Sequence, residues 1–251
     1  MFTPSRPVVE MVDLHMHVIP GVDDGALDLP MALELLRMAR EQGIGAVFAT
    51  PHSGSFRVLA QEIRSRFDLL QQTAAGLWPE LFLVLGCEVL CEPGQMERIL
   101  DALEAGLFPT MNGTAYVLME LSPWGRATDL LSCAEALAQS GYRPILAHAE
   151  RYPYLQGETG RIDEFRAMGG RIQLNVYSLS EETDPAIRTW AQQLVLTRRA
   201  DYLGTDAHRT YHRPPRIQAG LDWLYENVDP IYANWLTWER ARETLLEGTI
   251  C

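Results

Sequence analysis

The chain of 251 residues contains no lysine, and all 21 of its basic residues are arginine. Its 33 acidic residues outnumber them and give a formal net charge of −12. Proteins that bind nucleic acid generally carry a basic face, so this charge balance argues against a nucleic-acid partner. A cluster of bound divalent cations would offset part of the negative charge.

Long apolar runs are also absent. No run approaches the roughly 20 residues that a membrane-spanning helix needs. The first twelve residues lack the basic start and the long apolar stretch of a signal peptide. These absences predict a cytoplasmic protein that does not insert into the membrane.

Cysteine is scarce, and the four cysteines show no paired CxxC spacing. A disulfide framework or a zinc knuckle is therefore disfavoured, and we interpret the thiols as reduced and mostly buried. None is followed by an arginine at the spacing that cysteine-dependent tyrosine phosphatases use.

Short apolar runs alternate with amphipathic stretches along the whole chain, and this alternation indicates parallel strands joined by helical crossovers. Seven strands are predicted, over residues 12–18, 46–52, 81–90, 116–121, 144–149, 171–176 and 202–208. Seven such units in this length favour one α/β domain, a distorted seven-stranded barrel, with an open doubly wound sheet as the alternative. We expect a single domain over residues 1–251, with an N-terminal extension over 1–11 and C-terminal helices over 217–251.

A histidine or an acidic residue lies at or near the carboxyl end of most of these predicted strands. His15 and His17 share a strand face, as do Asp206 and His208, because side chains two residues apart point the same way. The candidates on the intervening strands are His52, Glu88, Glu120 and His148, separated by roughly 28 to 36 residues, the length of a βαβ unit. Parallel strands of a barrel converge at their carboxyl ends, so these groups predict one metal site. Imidazole and carboxylate donors suit manganese, iron or zinc.

Several motifs at these positions resemble the PHP superfamily, named for polymerase and histidinol phosphatase. Its bacterial tyrosine-protein phosphatase branch, which accompanies capsule and exopolysaccharide synthesis, is the best match. The motifs are Asp13-Leu14-His15-Met16-His17 through Val22-Asp23-Asp24-Gly25, Ala49-Thr50-Pro51-His52, Gly86-Cys87-Glu88-Val89, His148 through Tyr152, and Asp206 through Arg213-Pro214-Pro215. The resemblance covers nearly the whole chain and implies a distorted seven-stranded β/α barrel with three divalent metals, manganese first and iron or zinc as alternatives.

The resemblance also implies a role for each residue. The first metal would be held by His15, His17, Glu88 and Asp206. Glu88 would bridge to a second metal, which Glu120 and His148 would also hold. The third metal would be held by Asp24, His52 and His208. Aspartate at position 24 and glutamate at position 120 favour the tyrosine phosphatases over the histidinol phosphatases. Arg151 and Arg213 match the arginines that hold the phosphoryl group, as paired guanidinium donors can.

The chain departs from the family pattern after His52, where Ser53-Gly54-Ser55-Phe56 replaces a histidine and an Asn-Gly turn. We expect this loop to border the phosphotyrosine ring. His212, the sixth histidine, receives no family role. Asp13 and Glu150 are predicted to orient ligand histidines from behind.

The predicted activity is hydrolysis of phosphotyrosine by a hydroxide that bridges two metals, with Arg151, Arg213 and the third metal neutralising the equatorial oxygens. Asp206 or a metal-bound water would protonate the leaving group. The resemblance implies the tyrosine-rich tail of a membrane-bound tyrosine kinase as partner; the oligomeric state stays open. Two alternatives remain at this point: a phosphoesterase for a small metabolite such as histidinol phosphate, and a non-enzymatic, metal-stabilised regulatory module. A nuclease is disfavoured by the acidic surface.

Overall fold

A computed structural model describes residues 11–53 and 60–247. Strands and helices alternate through most of this range, as the apolar pattern predicts. The strands are β1 Met11–Met16, β2 Ile44–Ala49, β3 Phe82–Leu85, β4 Glu88–Cys91, β5 Tyr116–Leu121, β6 Arg143–Leu146, β7 Arg171–Asn175 and β8 Tyr202–Gly204. The helices are α1 Leu29–Glu41, α2 Ala60–Leu77, α3 Met96–Glu104, α4 Ala127–Gln139, α5 Thr159–Ala167, α6 Pro185–Leu196, α7 Gln218–Asn227, α8 Pro230–Asn234 and α9 Arg240–Leu245.

All strand pairs are parallel, which confirms the α/β class. The strands form a three-stranded sheet in the order β1-β2-β3 and a five-stranded sheet in the order β4-β5-β6-β7-β8. Two isolated parallel bridges, Met16 to Ala207 and His52 to Glu88, connect the two sheets. The single seven-stranded barrel is thus not confirmed, because the described residues contain eight strands in two sheets.

The extra strand arises where the predicted strand over residues 81–90 divides. A Cβ atom at Gly86 would lie 2.7 Å from Met111 Sδ and 3.1 Å from Thr50 Cγ2, so glycine lets these two side chains pack closely against the backbone here. Beyond Gly86 the chain stays beside the segment that follows β2, through the bridge between His52 and Glu88, and Glu88 also pairs with Leu118 of β5. The last strand is also shorter than predicted, since β8 ends at Gly204 and Asp206 has a φ of 53°.

Three helices begin after an aspartate at the N-cap and have proline as their first or second residue, a strong start signal for a helix. Asp28 accepts a hydrogen bond from Met31 N at 2.9 Å, Asp184 from Ala186 N at 2.8 Å, and Asp229 from Tyr232 N at 3.0 Å. These caps satisfy backbone donors that would otherwise lack partners at the first turn. None of the helices in the described ranges is long and apolar enough to cross a membrane.

Two apolar clusters hold the fold together. The larger lies between the helices and the strands, and a smaller one joins the two sheets through residues such as Leu14, Phe48, Leu118 and Tyr202. The C-terminal segment covers this core: a π-helical turn over Trp235–Glu239 leads into α9, and Trp238 packs on the smaller cluster. Alternate residues of a strand share one face, so His52 lies on the same face as Phe48, and Glu120 on the same face as Leu118. The strands that form this cluster therefore also line the candidate site at their carboxyl ends.

Candidate metal centre

Glu88 lies at the centre of a buried cluster of imidazoles at the carboxyl ends of the strands. Its Oε2 atom is 2.8 Å from His52 Nδ1 and 3.2 Å from both His15 Nε2 and His17 Nε2. Its Oε1 atom is 2.8 Å from His148 Nε2. His15 and His17 are fully buried with their Nε2 atoms 3.0 Å apart, so both rings point to one side as predicted.

Asp206 approaches the same imidazoles from the turn after β8. Its Oδ1 atom is 3.7 Å from His15 Nε2 and 3.6 Å from His17 Nε2. His208 follows two residues later, and its ring stacks on that of His17 with centroids 3.9 Å apart. The bridge between Met16 and Ala207 aligns these two segments.

Asp24 and Glu120 complete the cluster from its more open side. Asp24 Oδ1 lies 3.5 Å from His52 Nε2 and 3.4 Å from His208 Nε2, and Glu120 Oε2 lies 3.5 Å from His52 Nδ1. All nine predicted ligands therefore converge. Their ligand atoms form four groups within 4.8 Å: His17, Asp24, His52 and His208; His15, Glu88 and His148; His15, His17 and Asp206; His52, Glu88 and Glu120.

The backbone is strained at three residues of this region. His148, Asp206 and Arg213 have φ values of 32°, 53° and 59°, in the left-handed region that side chains other than glycine rarely adopt. Such strain costs on the order of 1–3 kcal/mol per residue and concentrates at functional sites. Here it turns the chain sharply after β6 and β8, so that both strand ends deliver side chains to the cluster.

Neighbouring opposite charges shift the pKa values of several histidines and carboxylates in this cluster. Burial disfavours charge on His17 and His52, but carboxylates outweigh it: Asp23 and Glu88 raise the pKa of His17 to about 9, and Glu120 and Glu88 raise the pKa of His52 to about 11. Burial likewise opposes ionisation of Glu88, yet His15 and His148 keep its pKa well below the usual value. Positive charge among these carboxylates is strongly favoured, whether it comes from imidazolium or from metal.

The donor set fits divalent cations. It consists only of imidazole nitrogens and carboxylate oxygens, the ligands that zinc, manganese and iron share. Glu88 Oε2 and His148 Nδ1 are buried without an acceptable hydrogen bond, although three imidazole nitrogens lie near the former. A buried carboxylate oxygen that faces several nitrogens without bonding to them is a natural ligand position.

Arg151 and Arg213 meet at the second oxygen of Asp206. Arg151 Nη1 donates to Asp206 Oδ2 at 2.7 Å, and Arg213 Nη2 donates to the same atom. The two side chains are 43% and 34% exposed, so their remaining donors reach the surface of the site. Asp206 thus presents one oxygen to the imidazoles and the other to the guanidinium groups.

Sequence reasoning missed three polar residues behind the cluster. Asp23 Oδ2 lies 2.8 Å from His17 Nδ1 and accepts from His52 N at 3.1 Å. Asn175 Nδ2 donates to Asp206 Oδ2 at 3.2 Å, and Gln173 Oε1 accepts from His148 N at 2.7 Å. A signal was available, since residues 171–176 are the only predicted strand to which no site residue was assigned.

Asp13 and Glu150, which were predicted to orient ligand histidines, accept hydrogen bonds from backbone and hydroxyl donors. The Asp13 carboxylate accepts from the backbone of Thr205 at 2.8 Å and of His15 at 3.1 Å. Glu150 Oε1 accepts from Ser178 Oγ at 2.8 Å and Asn175 N at 3.1 Å. Both acids therefore hold the backbone near the candidate ligands in place, through donors other than the imidazole rings.

Two cavities border this centre. One of about 200 Å³ is lined by five of the nine candidate ligands, His52, Glu88, Glu120, His148 and Asp206. Another of about 460 Å³ shares Arg151, Asp206 and Arg213 with it. His212 belongs to none of the metal groups and lines the larger cavity. Of the loop expected to border the phosphotyrosine ring, Ser53 accepts from Leu90 N at 3.0 Å, and residues 54–56 lie outside the described ranges.

A family model described as "Capsular polysaccharide synthesis, CpsB/CapC" matches residues 11–246. The tyrosine-protein phosphatase CpsB of Streptococcus pneumoniae is 25% identical over 247 residues, covering 96% of this chain and all of the relative. The tyrosine-protein phosphatase YwqE of Bacillus subtilis (strain 168) is 27% identical over 247 residues, 96% of this chain and 93% of the relative.

The fold agrees with these relatives. A crystal structure from work on YwqE of B. subtilis and CpsB of S. pneumoniae, described as unique metal-dependent tyrosine phosphatases, superposes with a TM-score of 0.82. It is 25% identical, and the match covers 94% of both chains. The branch that the sequence motifs predicted is thereby confirmed.

Proposed function

This chain belongs to the CpsB/CapC family of capsular polysaccharide synthesis, and from that premise we propose that it is a metal-dependent protein-tyrosine phosphatase. One observation carries the proposal. Four carboxylates and five imidazoles converge at the strand ends, and two arginines stand beside them on Asp206. That combination offers cation ligands and phosphate donors side by side, as hydrolysis of a phosphomonoester requires.

The chain's own residues would bind and orient the phosphoryl group. Arg151 and Arg213 provide guanidinium donors for its oxygens, and Asp206 holds both guanidinium groups in place. Bound cations would supply hydroxide near neutral pH by lowering the pKa of water. A leaving phenolate has a pKa near 10 and needs less protonation than an alkoxide, which suits a site whose carboxylates are ionised.

We further propose that the nine ligands hold three cations, with manganese first and iron or zinc as alternatives. The four overlapping donor groups support more than one ion. The groupings differ from the set that the family resemblance implies in three respects: His17 joins Asp24, His52 and His208; His15 joins Glu88 and His148; and His52 joins Glu88 and Glu120. Four residues each belong to two groups and are therefore placed to be shared between neighbouring ions: His15, His17, His52 and Glu88.

The family description supports a substrate within capsule or exopolysaccharide synthesis. We propose a phosphotyrosine protein, the tail of a membrane-bound tyrosine kinase, met in the cytoplasm. The match over residues 11–246 supports one domain that includes the C-terminal helices, and the two bridges between the sheets support a single distorted barrel as its frame.

Phosphate release tests the activity. The purified protein supplied with Mn²⁺ should hydrolyse phosphotyrosine peptides with a higher kcat/KM than histidinol phosphate. Higher turnover of histidinol phosphate would reassign the protein to small-metabolite hydrolysis. No release from either substrate with manganese, iron or zinc would favour a non-enzymatic role.

A further inference from the structure

The 460 Å³ cavity beside the metal centre is larger than a phosphoryl group needs. It shares Arg151, Asp206 and Arg213 with the metal cavity and extends to Tyr177, Ile187 and Arg216, which do not line that cavity. Its volume is in the range of sites that enclose a whole small ligand. A substrate whose phosphoryl group contacts the two shared arginines would therefore place its neighbouring groups here.

The local charge of this cavity opposes that of the protein. Among its described lining residues, the charged side chains apart from His212 are three arginines and Asp206, and Asp206 is already paired with Arg151 and Arg213. The chain as a whole carries a formal charge of −12. A positive lining on an acidic protein favours a ligand with negative charge beyond its phosphoryl group.

Arg216 is held in position by its neighbours in the chain. Pro215 and Ile217 are buried, and Gln42 clamps both: its Nε2 donates to Pro215 O, and its Oε1 accepts from Ile217 N at 3.2 Å. The guanidinium carbon lies 5.9 Å from the centre of the Tyr177 ring, within the range of a cation–π contact. A fixed backbone and an aromatic wall thus present this exposed side chain toward the cavity.

The ion pair that Arg216 forms is weak and open to exchange. Its Nη1 atom is 3.8 Å from Glu182 Oε2, and both side chains are about 60% exposed, at 60% and 62%. Exposed ion pairs of this kind contribute little to the stability of the fold because water screens their charges. A carboxylate of a bound peptide could displace Glu182 at small cost.

We propose that Arg216 is a specificity-determining residue that selects an acidic residue next to the phosphotyrosine, an inference that rests on the proposed phosphatase function. The test uses two phosphotyrosine peptides that differ only in having glutamate or arginine on both sides of the phosphotyrosine. With Mn²⁺, the wild type should favour the acidic peptide by about tenfold in kcat/KM, mostly through KM, the size of one charge-assisted contact. The overall negative charge alone would give the opposite preference.

Three variants decide whether Arg216 causes that preference. Arg216→Glu should abolish or reverse it, and Glu182→Gln should increase it by removing the competing carboxylate. Arg98→Glu, which makes the same charge change at an exposed position on α3 outside the cavity, should keep the wild-type ratio. Thermal unfolding checks that Arg216→Glu is folded, and Glu182→Gln tests the same contact without changing Arg216.

The outcomes separate this inference from the proposed function. A wild type that hydrolyses both peptides equally, or an Arg216→Glu variant with the wild-type ratio, overturns the role of Arg216 and leaves the phosphatase function intact. A wild type that hydrolyses neither peptide overturns the phosphatase function, and the inference with it.

Discussion

Two buried aspartates flank β8, Asp201 at its amino end and Asp206 beyond its carboxyl end, only 1% and 2% exposed. Each carboxylate lies near two arginines: Asp201 near Arg166 and Arg171, Asp206 near Arg151 and Arg213. The two aspartates differ in their remaining contacts. Asp201 Oδ2 accepts a hydrogen bond from Ile172 N at 3.0 Å, whereas Asp206 Oδ1 faces the rings of His15 and His17.

Their acidities differ accordingly. Burial raises the pKa of Asp201, and the nearby arginines do not compensate. Burial acts in the same direction on Asp206, but His15, His148 and Arg213 outweigh it and hold its pKa well below the usual value. A buried charge paired with arginine can thus be purely structural. The two ends of the strand differ in their other neighbours. Only at the carboxyl end do imidazoles and carboxylates face each other without being fully hydrogen-bonded.

Asp206→Asn should produce the largest effect. The substitution removes a negative charge that faces the imidazoles and weakens the anchor of both arginines. We expect phosphotyrosine hydrolysis to fall by about 10³-fold or more, since a single stabilising donor already contributes about 10²–10³. Phosphate release together with the metal content of the purified variant is the measurement. Wild-type activity with a full metal complement would remove Asp206 from the site.

Arg151→Ala should lower turnover by about 10²–10³-fold while the metals stay bound, because this arginine contacts Asp206 from outside the ligand cluster. Arg166→Ala is the matched control, because it also removes an arginine from a buried aspartate. The control should unfold at a lower temperature and keep its kcat. If Arg151→Ala also released the metals, its role would be structural, like that of Arg166.

Asp23→Asn should have a smaller effect on activity, about 10- to 100-fold, the range found for groups that orient metal ligands. Asp23 contacts Nδ1 of His17, the ring atom opposite the one that faces the cluster. We expect weaker metal affinity, seen as a higher Mn²⁺ concentration at half-maximal activity. Activity that saturates at the wild-type metal concentration would show that Asp23 does not act through His17.

Asp201→Asn should leave kcat unchanged and cost about 1–3 kcal/mol of unfolding free energy through weakened contacts to Arg166 and Ile172. The comparison also has a pH signature. An acid whose pKa is raised by folding destabilises the fold as pH rises from the ordinary value of 3.8 through the raised one. Wild type should therefore lose stability relative to Asp201→Asn across that interval in urea unfolding. A difference that is constant with pH would mean that the pKa of Asp201 is not raised.

The convergence of the candidate ligand residues was predictable because strand ends are local features. A histidine or acid at the carboxyl end of a parallel strand must meet its counterparts on neighbouring strands, whatever the exact packing. His15, His52, Glu88 and His148 could thus be identified from spacing alone, and the family motifs added Asp24.

The remaining features depend on packing between distant segments. The strand divides at Gly86, where the Met111 side chain lies close to the backbone, and residues 25 positions apart carry no joint signal in one sequence. The cavity near Arg216 forms between the loops after β7 and β8, and the clamp by Gln42 comes from the end of α1. The donors that Asp13 and Glu150 contact, among them the backbone of Thr205 and Asn175, could not be located in advance because they lie on distant segments.

Metal titration tests the central claim most directly. The protein is stripped of metal, its metal content is measured, and phosphate release from a phosphotyrosine peptide is followed as Mn²⁺ is returned. Our account predicts no turnover in the stripped protein and recovery that saturates when about three ions are bound, the number proposed for the nine ligands. Full turnover without bound metal would contradict it, as would metal binding at these ligands with no turnover at all.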